Sequence, residues 1–236
     1  MRLLLISNST NAGEPYLKYP QNDIREFLGQ EPVRALFIPY AAVTFSFDAY
    51  EEKVKERFIE AGHDIISIHR YKDPVAAVEE AAAIVVGGGN TFILLKMMRE
   101  NNILEAVRNK VLEGIPYIGW SAGSNLACPT IMTTNDMPVA FPGSFGALNL
   151  VPFQINPHYT DIHPEGHAGE TREQRIEEFI TANPEMYVVG LREGSMLLLE
   201  DGKLRLKGER KMRVFRKGYI HAEYDVTDDI SFLIRE

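Results

Sequence analysis

The chain has 236 residues, 45% hydrophobic and 25% charged, which excludes disordered and fibrous classes and is ample for a buried core. Its 25 Lys+Arg against 33 Asp+Glu leave a net charge of −8 at pH 7, which argues against nucleic acid or an anionic membrane as partner. A single cysteine, Cys128, excludes an internal disulfide framework and suits a reducing cytoplasm.

The N-terminal apolar run, Leu3 to Ile6, is too short for a signal peptide and predicts a buried first strand. Further strands are predicted at 33–38, 65–68, 82–86 and 117–118, and no stretch approaches the roughly 20 apolar residues of a membrane span. Between the strands, Tyr50, Val54, Phe58 and Ala61 recur at helical spacing, with Asp48 as the expected N-cap and Gly62 as the stop. Asp73-Pro74 opens another helix, and residues 91–113 predict one or two more, broken near Asn101-Asn102. Residues 129–170, rich in Pro, Gly, Asn and His, predict functional loops and short strands. Thr171 and Gln174 then form a capping box for a helix whose buried stripe is Ile176, Phe179 and Ile180. A strand at 186–191 follows, and Glu200-Asp201-Gly202-Lys203 is a hairpin turn in a tail that reads as antiparallel strands on the sheet edge. The alternation predicts an α/β fold with a parallel sheet covered by helices. No repeat or linker interrupts it, so one domain over 1–236 is expected.

Gly119-Trp120-Ser121-Ala122-Gly123 is a G-x-S-x-G sequence between a predicted strand and a short helical stretch. Small residues there allow a tight turn that leaves the Ser121 hydroxyl exposed, while the Ala122 N–H at a helix start faces developing negative charge. The competing reading is an ordinary glycine-rich turn capped by Ser121. Val85-Val86-Gly87-Gly88-Gly89-Asn90 ends another buried strand, and backbone amides there form an anion-binding concavity. It lacks the residues of a dinucleotide or P-loop fingerprint, so a second oxyanion donor from Gly88 or Gly89 is the better reading.

A serine nucleophile needs a base. His158 follows an apolar segment and an Asn156-Pro157 pair read as a rigid turn, which marks it among the six histidines. His163 and His167 carry a metal-like spacing, but Pro164 and Gly166 argue against the helix such ligation needs. For the acid that orients the imidazole, Asp136 in a polar loop and Glu193 at a strand end both qualify.

Taken together, Gly87 to Phe92, Gly119 to Gly123, Cys128-Pro129-Thr130, Thr133 to Pro138, Gln154 to His158, and Glu165-Gly166-His167 with Gly169 to Ile176 closely resemble the bacterial peptidase E family of α-aspartyl dipeptidases. The resemblance runs from Met1 to about Glu193 and fades after Glu200. It implies a three-layer sandwich like that of the class I glutamine amidotransferases, with a mostly parallel central sheet and antiparallel C-terminal strands. It implies Ser121 as nucleophile, His158 as base, Asp136 as the preferred orienting acid with Glu193 as the other candidate, and Arg172 on the substrate's aspartyl carboxylate. Arg192 and Ser195 depart from the enterobacterial pattern around Glu193. Arg172 also opens a predicted helix, where side chain and backbone amides both favour a carboxylate.

The expected activity is hydrolysis of dipeptides with N-terminal aspartate through an acyl-enzyme, with the oxyanion on Gly88, Gly89 and Ala122. No metal or cofactor is expected. The expected partner is a small acidic dipeptide, with no nucleic acid, membrane or obligate protein partner, in the cytoplasm. The rivals are a related acyl hydrolase acting on the aspartate–arginine polymer cyanophycin and a non-catalytic anion-binding module.

Overall fold

The computed structural model describes residues 1–162, 166 and 168–235. In chain order the first half contains β1 (Leu3–Ile6), α1 (Gln21–Leu28), β2 (Arg34–Ile38), α2 (Phe47–Glu60), β3 (Asp64–Ser67), α3 (Pro74–Glu79) and β4 (Ile84–Val86). Then come α4 (Thr91–Glu100), α5 (Leu104–Leu112), β5 (Tyr117–Trp120), α6 (Ala122–Leu126), β6 (Gln154–Tyr159) and α7 (Arg172–Ala182). The C-terminal part is all strand: β7 (Val188–Arg192), β8 (Ser195–Glu200), β9 (Lys203–Gly208), β10 (Met212–Phe215) and β11 (Ala222–Tyr224).

Seven strands form the main sheet in the order β3-β2-β4-β5-β1-β8-β9. The first five run parallel, and β8 and β9 close that edge antiparallel. A parallel sheet is covered on both faces, so its strands are apolar throughout rather than alternating. Leu3 and Leu5 enter one core with Leu94, Val107 and Leu126 from α4, α5 and α6. Leu4 and Ile6 enter the other, with Ile24, Val54 and Phe58 from α1 and α2. Each such fully buried side chain contributes about 1.5–3 kcal/mol. The result is the α/β three-layer arrangement with a mostly parallel sheet.

Several boundaries follow the local signals. Asp73 caps α3 by accepting from the Ala76 N–H at 3.0 Å, and the helical stretch breaks at Asn102, whose φ is 55°. The Thr171–Gln174 capping box is formed in both directions. Asp201 and Gly202 take φ 53° and 69° in the β8–β9 hairpin, the left-handed conformations that match strand twist.

Four expectations are corrected. The N-cap of α2 is Ser46, whose hydroxyl accepts from the Ala49 N–H at 3.2 Å; Asp48 lies in the first turn and pairs with His69 and Arg70. The predicted strand at 65–68 ends at Ser67, and residues Ile68–Arg70 form a single 3-10 turn. Asn156-Pro157 is no turn but the middle of β6, paired parallel with β7. The tail does not stay on one edge: β10 and β11 join β7 and β6 in a second sheet, ordered β11-β10-β7-β6. Val189, Leu191, Met212 and Val214 of that sheet share the core under α4 and α5, so the two sheets meet over common apolar surface.

Candidate active site

The turn after β5 is shaped by close packing. A Cβ on Gly119 would lie 2.5 Å from the Gly123 carbonyl oxygen, and one on Gly123 would lie 2.3 Å from that of Val86. Only glycine lets β5, α6 and β4 approach so closely. Between them Ser121 adopts φ 52° and ψ −109°, a conformation costing about 1–3 kcal/mol that persists because its surroundings over-determine it. Its N–H donates to the Ile6 carbonyl at 3.0 Å, and its carbonyl accepts from Ser124 and Asn125. Ser124 Oγ donates to the carbonyls of Ile6 and Gly119 at 2.7 and 2.8 Å, tying the first turn of α6 to β1 and β5. The strained turn puts Ser121 at the C-terminal end of the parallel strands, where α/β folds present ligand sites.

The histidine arrives from the second sheet. His158 sits at a register shift between Pro157 and Tyr159, with φ 55°, and its N–H donates to Ser7 Oγ at 3.0 Å. Ser7 Oγ in turn donates to the Leu191 carbonyl at 2.7 Å. This buried serine, directly after β1, therefore joins β1, β6 and β7 behind the imidazole. His158 Nε2 lies 2.8 Å from Ser121 Oγ, and Nδ1 lies 2.7 Å from Glu193 Oε1. Glu193 follows β7 at the turn into β8, which Gly194 makes with φ 83°; the Gly194 N–H is held by Asn8 Oδ1 at 2.9 Å.

Glu193, not the preferred Asp136, thus faces the imidazole. Asp136 Oδ2 accepts from the Thr91 N–H at 2.7 Å, from Thr91 Oγ1 at 2.6 Å and from Thr134 Oγ1 at 3.1 Å. It anchors the loop over the N-terminus of α4, where free amides and the helix dipole favour a carboxylate. Asn90 caps the same helix through the N–H groups of Phe92 and Ile93.

The candidate oxyanion donors Gly88, Gly89 and Ala122 border Ser121. A Cβ on Gly88 would fall 3.1 Å from that of Ser121. Among the described residues their three N–H groups have no protein acceptor. The Gly88 carbonyl accepts from Tyr50 Oη at 2.9 Å, and Tyr50 Oη accepts from Trp120 Nε1 at 3.2 Å and from Tyr16 Oη at 3.3 Å. Burial pushes the Tyr50 phenol up to about 12, so it stays a donor. Because a peptide's N–H points opposite its C=O, fixing the Gly88 carbonyl also fixes the Gly89 N–H.

Arg172, first residue of α7, reaches back to Asn135, to which its Nη1 donates. Asn135 is held by Asn156 Nδ2 at 2.7 Å and itself donates to the Pro157 carbonyl at 2.6 Å, one residue before His158. Arg172 is half-buried and has no carboxylate partner within ion-pair distance among the described residues. Burial and the neighbouring Arg175 press its pKa down, partly offset by Asp136. These residues line a cavity of about 210 Å³ with Ile176 and Phe179. A second cavity, about 320 Å³, opens on Ser121 and His158 from the α2 side.

The sequence pattern gave no site role to Ser7, Tyr50, Asn135 or Asn156; only Asn156, a polar residue within the apolar β6, carried a signal that could have found it. His163 and His167 lie outside the described residues. One cluster with metal-ligand chemistry, Asp48, Glu51 and His69, occurs among the described residues. Arg70 bonds both of its carboxylates, donating from Nε to Glu51 at 2.8 Å, so it is an ion-pair network with its own counter-charge. No helix among the described residues is long and apolar enough to cross a membrane.

The chain matches the model of peptidase family S51 over residues 3–207. It is 52% identical over 233 residues to peptidase E of Nostoc sp., covering 99% of this chain and 96% of that one. To peptidase E of Salmonella typhimurium it is 49% identical over 218 residues, covering 92% and 95%. Among solved structures, a peptidase from an acI-B1 Actinobacterium superposes with a TM-score of 0.71 at 16% identity, covering 98% of this chain and 96% of that one. A Listeria monocytogenes protein gives 0.65 at 22%, covering 88% and 98%; at these identities the likeness concerns the fold alone. With a family match across most of its length and relatives named peptidase E at about half identity, the chain belongs to peptidase family S51 and is a peptidase.

Proposed function

We propose that the enzyme hydrolyses dipeptides with N-terminal aspartate through an acyl-enzyme on Ser121. The observation that carries this reading is the continuous relay Glu193–His158–Ser121, at 2.7 and 2.8 Å. Ser121 Oγ attacks the scissile carbonyl carbon as its proton passes to His158 Nε2, and Glu193 accepts the Nδ1–H and stabilises the imidazolium. The carbonyl oxygen becomes an oxyanion on the N–H of Ala122 and of Gly88 or Gly89. The C–N bond then breaks as Nε2 returns the proton to the leaving amine, leaving an aspartyl ester on Ser121. Water, deprotonated by the same imidazole, cleaves the ester and restores the hydroxyl.

The half-buried Arg172, with no carboxylate partner among the described residues, supports an acidic residue on the acyl side. A buried charge without a partner is costly, and a substrate carboxylate relieves that cost where an amide does not. The test is the kinetics of Asp-Leu, Asn-Leu and Glu-Leu with wild type, Ser121→Ala and Arg172→Met. Ser121→Ala abolishes turnover with the fold retained, and Arg172→Met collapses the preference for Asp over Asn. Undiminished hydrolysis by Ser121→Ala overturns the mechanism; equal losses on all three substrates make Arg172 structural. Cleavage of β-linked Asp-Arg instead of Asp-Leu would move the enzyme to cyanophycin-type substrates.

A further inference from the structure

We infer that the cavity between α2 and Ser121 is the leaving-group site, in which the Lys53 ammonium takes the free α-carboxylate of the released residue. This rests on the serine-relay reading above and adds what it leaves open, the recognition of the C-terminal half of the substrate. The residue that protonates the leaving amine is His158, so the leaving group starts within hydrogen-bond reach of its Nε2. The cavity of about 320 Å³ on which Ser121 and His158 both open is walled by Tyr16, Phe45, Tyr50 and Trp120, with Lys53 beside them. Its volume lies within the range of small-ligand sites. The Arg172 cavity is lined instead by the 132–137 loop, β6 and α7, and contains neither Ser121 nor His158. The two cavities therefore serve the two sides of the scissile bond.

The walls and charge of this cavity fit one kind of occupant. Tyr16 stands edge-on to Trp120 with ring centroids 6.3 Å apart, and Phe45 stands edge-on to Tyr50 at 5.1 Å. Such surfaces accept an apolar side chain. Tyr50 and Lys53 lie three residues apart on α2 and so share a face. Lys53 Nζ sits 4.0 Å above the Tyr16 ring, which holds the ammonium at the aromatic wall without neutralising it. No carboxylate lines this cavity, although the chain as a whole carries −8. Lys53 is its one formally cationic residue and has no ion-pair partner among the described residues. A chain advances only about 3.8 Å per residue. Because Lys53, Ser121 and His158 line one cavity, the carboxylate of a residue directly after the scissile bond enters the same space as the Lys53 ammonium.

The test compares Asp-Leu with its C-terminal amide, Asp-Leu-NH2, for wild type, Lys53→Met and Lys53→Arg, with leucine or leucinamide release as readout. Wild type cleaves the free acid about two- to five-fold better in kcat/KM, the range expected of one partly solvated charge pair. Lys53→Met removes most of that preference, chiefly by raising KM for the acid, and Lys53→Arg restores it. Equal wild-type rates on acid and amide overturn the assignment, as does a loss in Lys53→Met that is the same on both substrates. If wild type cleaves neither, the aspartyl-dipeptidase reading falls first and this one with it; if it cleaves both equally, only the Lys53 assignment falls.

Discussion

Replacing Glu193 by Gln leaves the side chain's shape but removes the charge that faces His158 Nδ1 at 2.7 Å. In a fully buried serine triad the equivalent amide substitution costs about 10⁴-fold in kcat. Here the Glu193 side chain is 50% exposed, so water shares the stabilisation of the imidazolium. A charge pair at about 4 Å is worth about 4 kcal/mol at an effective dielectric of 20 and about 1 kcal/mol in water. A half-exposed pair falls between, at about 2–3 kcal/mol, which corresponds to a loss of roughly 10² in kcat. The matched variant is Asp136→Asn. It weakens three hydrogen bonds and a favourable charge at the start of α4, costing about 1–2 kcal/mol of stability and lowering Tm by a few degrees. Its kcat stays within a few-fold of wild type. The assay is leucine release from Asp-Leu under saturating conditions, with thermal unfolding recorded for both variants. A 10²-fold loss in Asp136→Asn together with near-normal turnover in Glu193→Gln would refute the assignment of Glu193 as the orienting acid.

Tyr50→Phe removes the donor to the Gly88 carbonyl and strands Trp120 Nε1, so unfolding in urea shows a loss of about 1–3 kcal/mol and kcat falls several-fold. Gly123→Ala forces a Cβ to within 2.3 Å of the Val86 carbonyl, and the protein is recovered misfolded or insoluble; a soluble variant with normal activity would contradict the packing of the elbow. Cys128 is wholly buried and its thiol is pushed up to about 12, so thiol reagents label it only at the rate of unfolding, as mass spectrometry of native and denatured protein would record. Burial raises the Asp161 carboxyl, but hydrogen bonds from Arg192 at 2.7 and 2.9 Å outweigh that and leave its pKa below the usual value. Its folded pKa being lower than its unfolded one, the pair stabilises at neutral pH, and the contribution is lost as pH falls through the folded value. Asp161→Asn is therefore less stable than wild type at pH 7 in denaturant titrations, and the difference narrows below about pH 4.

The sequence determined what depends on neighbours along the chain. The parallel strands read as continuous apolar runs because both sheet faces are buried, and the elbow read clearly because Gly119, Ser121 and Gly123 stand together within five residues, although what Gly123 must avoid is the distant Val86 carbonyl. The capping box at Thr171 and the hairpin at Asp201-Gly202 are equally local, each a backbone conformation satisfied by adjacent side chains. The choice between Glu193 and Asp136 was not local. Both are acids in polar segments, and what separates them is the parallel pairing of β6 with β7, which sets Pro157 opposite Leu191 and so brings the end of one strand beside the end of the other. The N-cap of α2 is Ser46 rather than Asp48, and the aspartate, in the first turn of the helix, pairs with Arg70 and His69 from the turn after β3, partners that are distant in sequence. The tail divides between two sheets, yet Leu204 and Leu206 of β9 and Met212 and Val214 of β10 enter the same core, a convergence that no local pattern announces. Ser121 as the exposed serine of an elbow could be read from residue order alone; its strained geometry and its pairing with His158 and Glu193 exist only because two sheets share one apolar core and hold residues 121, 158 and 193 within hydrogen-bond reach.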